Sequence, residues 1–146
     1  MTEDDVKSLQ EQMRARTKEF AIRIVRLCQS LPRSWEVRIL GQQILRAGTP
    51  VAANYRAAGR ARSKAEFVAK MGTVVEEADE SVFWLELFVE TGIVAKARME
   101  RLLAEANELL AIFAAALRTA RKHLREEGTP RRKKAESRFG NGLMRQ

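Results

Sequence analysis

An all-α fold, four long helices packed as an antiparallel up-down-up-down bundle, is what this sequence predicts. Three observations carry that prediction. Apolar residues recur at alternating steps of three and four through four separate segments, which keeps them on one face of a helix. Three prolines and eight glycines in 146 residues leave room for few turns. The stretches between the periodic segments are short, and no segment alternates as a strand would.

The chain divides into a polar N-terminal extension (1–16), a bundle (17–128) and a basic tail (129–146). Residues 3 to 13 read as a frayed extension of the first helix or a free arm. From Thr17 the pattern firms, with Phe20, Ile24, Leu27, Cys28 and Leu31 as an apolar stripe and Arg23, Arg26 and Gln29 outside it. Pro32 ends this helix near residue 30, because proline disfavours the helical region for its predecessor. Cys28 is the single cysteine, so neither a disulfide nor a CxxC metal pair is available. Among Ile24, Val25, Leu27 and Leu31 its thiol is expected to pack rather than react.

Ser34 is placed to cap the second helix, with Glu36 favouring the positive end of its dipole. Its seam is Val37, Leu40, Ile44, Ala47, Val51, Asn54 and Ala58. The seam stays in register across Pro50, which predicts a kink rather than a break. A second line, Gly41, Leu45, Gly48, Ala52, Tyr55 and Gly59, is dominated by small residues. Glycine inside a helix costs about 1 kcal/mol relative to alanine, so these positions imply that another backbone comes close. Asn54, within the seam, is expected to be hydrogen-bonded there.

Ser63 and Glu66 form an S-x-x-E capping box opening the third helix, which runs to Thr91 with Gly92 closing it. Phe67, Met71, Val74, Ala78, Val82, Leu85 and Val89 make a seam that matches the second helix's. From Val82 to Val89 every residue except Glu86 is apolar. A helix apolar nearly all round must be buried nearly all round. Val82, Phe83, Trp84 and Leu87 are therefore expected at a subunit interface, with Phe83 and Trp84 as anchors; the alternative is a deeply central helix in a monomer. The fourth helix extends from about Ala95 to Glu127 and stops at Gly128, with Pro130 beyond.

Net charge is +8, and residues 131–146 hold six cations against Glu136 alone, so five of the eight charges lie there. Arg131, Arg132, Lys133 and Lys134 form either a polyanion-attracting tail or a solubilising, disordered end. Arg56, Arg60, Arg62 and Lys64 cluster at the turn between the second and third helices, beside Tyr55. They read as phosphate-contacting residues with an aromatic at hand, or as a solvated helix end whose arginines satisfy the last carbonyls or pair across a subunit interface. Arg118, Arg121, Lys122 and Arg125 add charge where the dipole of the fourth helix favours it.

Catalysis and metal binding are not expected. The carboxylates Glu76, Glu77, Asp79 and Glu80 lack the Glu-x-x-His partners of a di-iron bundle: His123 is the one histidine and Ala120 stands three before it. No calcium loop, phosphate loop or nucleophile elbow is present, and no cofactor is implied. If the second and third helices fold back about residue 62 or 63, residues whose numbers sum to about 125 lie opposite, which predicts an ion pair between Arg46 and Asp79 that fixes register. No apolar run approaches the roughly 20 residues that span a bilayer, and the acidic start is unlike a secretory signal; a cytoplasmic location is expected.

Leu31-Pro32, residues 41–47, Pro50 to Ala57, and Ser63 to Phe67 leading into Glu76 to Ser81 resemble the small bacterial four-helix-bundle proteins encoded by intervening sequences in large-subunit ribosomal RNA genes. The resemblance covers roughly residues 17 to 120 and is most specific at the proline-asparagine segment of the second helix. It implies an up-down bundle assembling as a ring-like homopentamer, without catalytic residues. A related accessory protein of diversity-generating retroelements is basic and works with a reverse transcriptase and nucleic acid. The expected function is thus a non-enzymatic oligomer binding RNA or a ribonucleoprotein through its basic patches, or alternatively a scaffold docking a partner enzyme such as a reverse transcriptase. The arginine-rich tail is not a feature of the family.

Overall fold

The computed structural model describes residues 1–129. These form four helices: α1 (Glu3–Gln29), α2 (Trp35–Gly59), α3 (Lys64–Glu90) and α4 (Lys96–Gly128). Among the described residues there is no strand. Helix α2 packs extensively against both α1 and α3, α3 packs against α4, and α1 touches α4 only sparsely.

The first helix begins far earlier than its apolar stripe implies. Thr2 Oγ1 accepts from the Asp5 amide at 3.1 Å while the Asp5 carboxylate accepts from the Thr2 amide at 2.9 Å, a reciprocal capping box that satisfies the first turn. Glu3, Asp4 and Asp5 also favour the positive end of the helix dipole. Residues 3 to 16 are thus a continuous part of α1 and not a separate extension. Met13 is buried, whereas Val6 and Leu9, which continue the same spacing, remain on the surface.

Ser34 caps α2 by accepting from the Val37 amide at 3.4 Å. The helix continues through Pro50 without a break. Its core-facing line is close to the expected seam: Val37, Ile44, Ala47, Val51 and Ala58 are buried, with Leu40 and Asn54 half-buried. The close approach implied by the small residues occurs at Gly48, where an added Cβ would stand 2.9 Å from Cγ1 of the fully buried Ile24. Gly59, by contrast, faces open space.

Ser63 Oγ accepts from the Glu66 amide at 3.1 Å, as a cap should. The second half of the expected box is displaced by one residue, since the Glu66 carboxylate accepts from the Arg62 amide at 3.2 Å. Gly92 takes a φ of +75°, the left-handed conformation that a side chain resists, and lets the Val94 amide reach back to the Phe88 carbonyl at 3.1 Å. The core that results is filled by Phe20, Ile24, Ile44, Met71, Leu85, Phe88, Met99, Leu109 and Phe113, each essentially closed to water.

Two contacts fix which helix ends lie together. Arg98, at the start of α4, donates from Nη2 to the Ser30 hydroxyl just after α1 at 2.5 Å. Lys64, at the start of α3, pairs with Glu127 near the end of α4. No helix among the described residues is long and apolar enough to cross a membrane.

Gly48 and Gly72 make opposite predictions under the same substitution. Gly48→Ala gains intrinsic helix propensity of about 1 kcal/mol but forces a methyl against the fully buried Ile24 side chain, and overpacking of this kind costs about 1–3 kcal/mol. Its denaturation midpoint should fall. Gly72→Ala, where nothing lies within 4 Å, should raise the midpoint in the same urea titration.

Candidate nucleic-acid interface and the polar pair behind it

The α2–α3 hairpin end gathers four cations because the helix-ending turn is only four residues long. Arg56 lies in the last turn of α2, Arg60 is its C-cap, Arg62 is in the turn and Lys64 opens α3. All four side chains are exposed. Lys64 is already neutralised by Glu127. Arg56, Arg60 and Arg62 make no ion pair among the described residues.

Tyr55 does not join this surface. It is half-buried with its ring centroid 5.2 Å from that of Phe113, and burial pushes its phenol above the usual range. It is a core aromatic and not a stacking platform, the reason being that its position on α2 turns it toward α4. A shallow depression of about 370 Å³ lies at the hairpin end, bounded by Gln10, Gly59, Arg62, Lys64 and Phe67. Arg131, Arg132, Lys133 and Lys134 lie outside the described residues.

Behind the hairpin end sits a polar pair. Asn54 Nδ2 donates to Glu77 Oε1 at 2.7 Å, so the seam asparagine is satisfied as expected. The other carboxylate oxygen, Oε2, is buried without a hydrogen-bond partner. Burial is the main cause that lifts the Glu77 carboxyl above its ordinary value; the neighbouring Glu80 and Glu76 push the same way, and the Asn54 bond opposes them.

The expected Arg46–Asp79 pair does not form: both side chains are exposed, and neither belongs to an ion pair among the described residues. Helical side chains lean toward the N-terminus of their own helix. Glu77 therefore leans back along α3 toward the hairpin and meets Asn54, two residues whose numbers sum to 131 and not 125.

An ion cluster that the sequence reading missed does form. Arg16 Nε donates to Glu105 at 2.7 Å and its Nη2 pairs with the Glu108 carboxylate at 2.9 Å, joining α1 to α4 where packing between them is sparse. Its signal was present in the sequence: Arg16 falls among the seam residues Met13, Thr17 and Phe20, and Glu105 and Glu108 share a face of α4. Arg14 and Lys18, also missed, line a groove between α1 and α2.

Of the residues expected at an interface, Val82 is buried in the chain's own core and is unavailable to a partner. Its spacing from Ala78 and Leu85 had marked it as a seam residue too, and that role prevails. Phe83 is 55% exposed and packs edge-on against Trp84 at 4.9 Å between centroids. Trp84 and Leu87 are half-buried. Cys28 is half-buried, its thiol pushed up by burial and directed at the Gly41 carbonyl 3.7 Å away. No group of three histidine, cysteine or carboxylate side chains is poised for a metal among the described residues.

A four-helix all-α bundle with a cationic hairpin end is the class these features define. Residues 9–115 match the family described as 23S rRNA-intervening sequence protein, and the chain belongs to that family. Among solved structures it is similar to a protein of unknown function from the S23 ribosomal protein family of Bacteroides thetaiotaomicron. The identity is 30%, the match covers 75% of this chain and 97% of that one, and the TM-score is 0.69. No curated protein matches the chain.

Glu77 makes a pH prediction. A carboxyl held above its ordinary value binds its proton more readily in the folded than in the unfolded chain, so this contribution to stability is complete below about 4.5 and is lost as pH rises through the raised folded value. Glu77→Gln should lose that dependence while keeping an oxygen for Asn54. Urea midpoints measured from pH 4 to 8 should show the wild type losing ground to the variant as pH rises; parallel curves would refute a perturbed Glu77.

Proposed function

We propose that the chain is an antiparallel up-down-up-down bundle that assembles as a ring-like homopentamer, acts in the cytoplasm without catalysis, and binds RNA or a ribonucleoprotein through its cationic hairpin end. The alternation of helix direction is supported by short connections and by the pairing of Lys64 with Glu127 and of Arg98 with Ser30 at opposite ends. Assembly is supported by Phe83, a large aromatic left more than half exposed on the outer face of α3.

The observation that carries RNA binding is the set Arg56, Arg60 and Arg62: three exposed guanidinium groups within seven residues, none neutralised by a carboxylate among the described residues. Guanidinium groups present planar forks suited to phosphate oxygens. Lys64, held by Glu127, is a weaker contributor, and Arg131, Arg132, Lys133 and Lys134 would extend the field along the strand. The descriptions of the family and of its structural relative, one naming 23S rRNA and the other a ribosomal protein family, point the same way.

A second reading has its own observation. Trp35 and Ile39, one helical turn apart near the start of α2, are 74% and 49% exposed. They suit a partner protein, such as a reverse transcriptase, docked on the bundle as a scaffold. A pull-down repeated after nuclease treatment separates the two, because a partner retained without RNA favours the scaffold.

Binding dominated by phosphate contacts falls steeply with salt, by about 0.7 log units of affinity per log unit of salt for each single-strand phosphate neutralised. Replacing Arg56, Arg60 and Arg62 together by alanine should weaken binding to single-stranded RNA and reduce the salt slope by about 2. Gel-shift titrations at two or more salt concentrations measure both. An unchanged slope, with binding lost only on deletion of residues 131–146, would confine the interaction to the tail.

A further inference from the structure

We infer that the exposed face of α3 seats in the groove between α1 and α2 of a second copy of this chain, glutamates against cations and Phe83 against an apolar wall. This rests on the assembly reading above and names the two surfaces that reading leaves open.

The face of α3 is defined by spacing. Glu76, Glu80, Phe83, Leu87 and Glu90 follow one another at steps of four, three, four and three and so lie on one line. All are exposed except Leu87, which is half-buried. None of the three glutamates belongs to an ion pair among the described residues. The line is therefore acidic at both ends, with a half-exposed aromatic between them.

The groove has the opposite character. It holds about 500 Å³ and is walled by Glu11, Arg14 and Lys18 of α1 and by Arg56 of α2, over a floor of small side chains including Ala15 and Ala52. Arg14 and Lys18 belong to no ion pair among the described residues either. The α1 wall continues along its own line, from Lys18 to Ile22 and Val25, where Val25 is 39% exposed. Cations thus give way to an apolar stretch in the direction of the α1 C-terminus.

The order of charge and grease agrees between the two surfaces, and so does its spacing along each helix. Arg98 bonded to Ser30 places the ends of α1 and α3 at the same end of the bundle. From that end, Phe83 lies seven residues before Glu90 and Ile22 seven before Gln29; Glu80 lies ten before and Lys18 eleven; Glu76 lies fourteen before and Arg14 fifteen. A rotation about an axis parallel to the helices leaves height unchanged, so two patches can meet around a ring only when their heights match. Here each pair of positions stands within one residue of the same distance from its own helix end. The two patches are different surfaces of one chain, which is the heterologous type of contact that generates closed rings.

Light scattering on the full chain and three variants tests the pairing. Glu76→Arg with Glu80→Arg, and separately Arg14→Glu with Lys18→Glu, should each reduce the measured mass to the 16.6 kDa of one chain. All four substitutions in one chain should restore the wild-type mass, since every contact becomes complementary again. These positions are exposed, and unchanged helical circular dichroism confirms that each variant folds. A wild type that is monomeric at all concentrations overturns both this pairing and the assembly reading. A wild type that assembles, and is dissociated by Phe83→Glu but by neither charge reversal, leaves the assembly standing and overturns the pairing alone. Dissociation by only one of the two reversals, without rescue in the combined variant, overturns it as well.

Discussion

The distance between α1 and α2 at Gly48 is the constraint from which most of this fold follows. A helix with branched residues on one side and no side chain at the crossing on another can lie against two neighbours at once. Val51 and Ile44 fill the core while Gly48 admits Ile24. On the outer side of the same two helices lies the groove over Ala15 and Ala52. On its other side α1 touches α4 only sparsely.

Polar groups take over where packing is thin or incompatible. Arg16 reaches Glu105 and Glu108 across the α1–α4 side, a forked cation meeting two carboxylates spaced one turn apart. Such partly exposed pairs add little net stability; their effect is to choose which faces oppose. Asn54 and Glu77 do the same between α2 and α3, at the cost of leaving Glu77 Oε2 buried with no donor. A carboxylate oxygen buried in this way is tolerated when the group can hold a proton.

Helix number, type and most of the core were legible from apolar spacing, because a 3.6-residue period survives wherever one face is buried. Phe20, Ile24, Ile44, Val51, Met71, Val74 and Leu85 all follow it into the interior. The start of α1 was not legible that way, since its first two turns bury nothing and are opened by the Thr2–Asp5 capping box. Cross-helix partners were the least legible part. Counting opposite residues from the turn places Cα atoms but ignores the lean of side chains along the helix, and so it pointed to Arg46 and Asp79 when Asn54 and Glu77 meet. Tyr55 misled for a related reason: nearness in sequence to the hairpin arginines says nothing about which side of α2 the ring leaves from. The exposed arginines themselves were readable, because a helix end at a short turn has little else to neutralise them.

Charge is distributed by face and not evenly. The hairpin end and the α1–α2 groove are cationic, while the open line of α3 is acidic. A monomer gains nothing from such segregation, since its own opposite charges are kept apart and each face repels itself. A ring of copies gains twice. Acidic and basic faces would meet within it, and Arg60 and Arg62, which lie outside the groove and pair with no carboxylate among the described residues, would be brought to one rim, where several weak phosphate contacts act as one multivalent surface. On this account the grease on α3 and the arginines at the turn are parts of one arrangement: the first holds copies side by side, and the second is useful in proportion to how many copies are held.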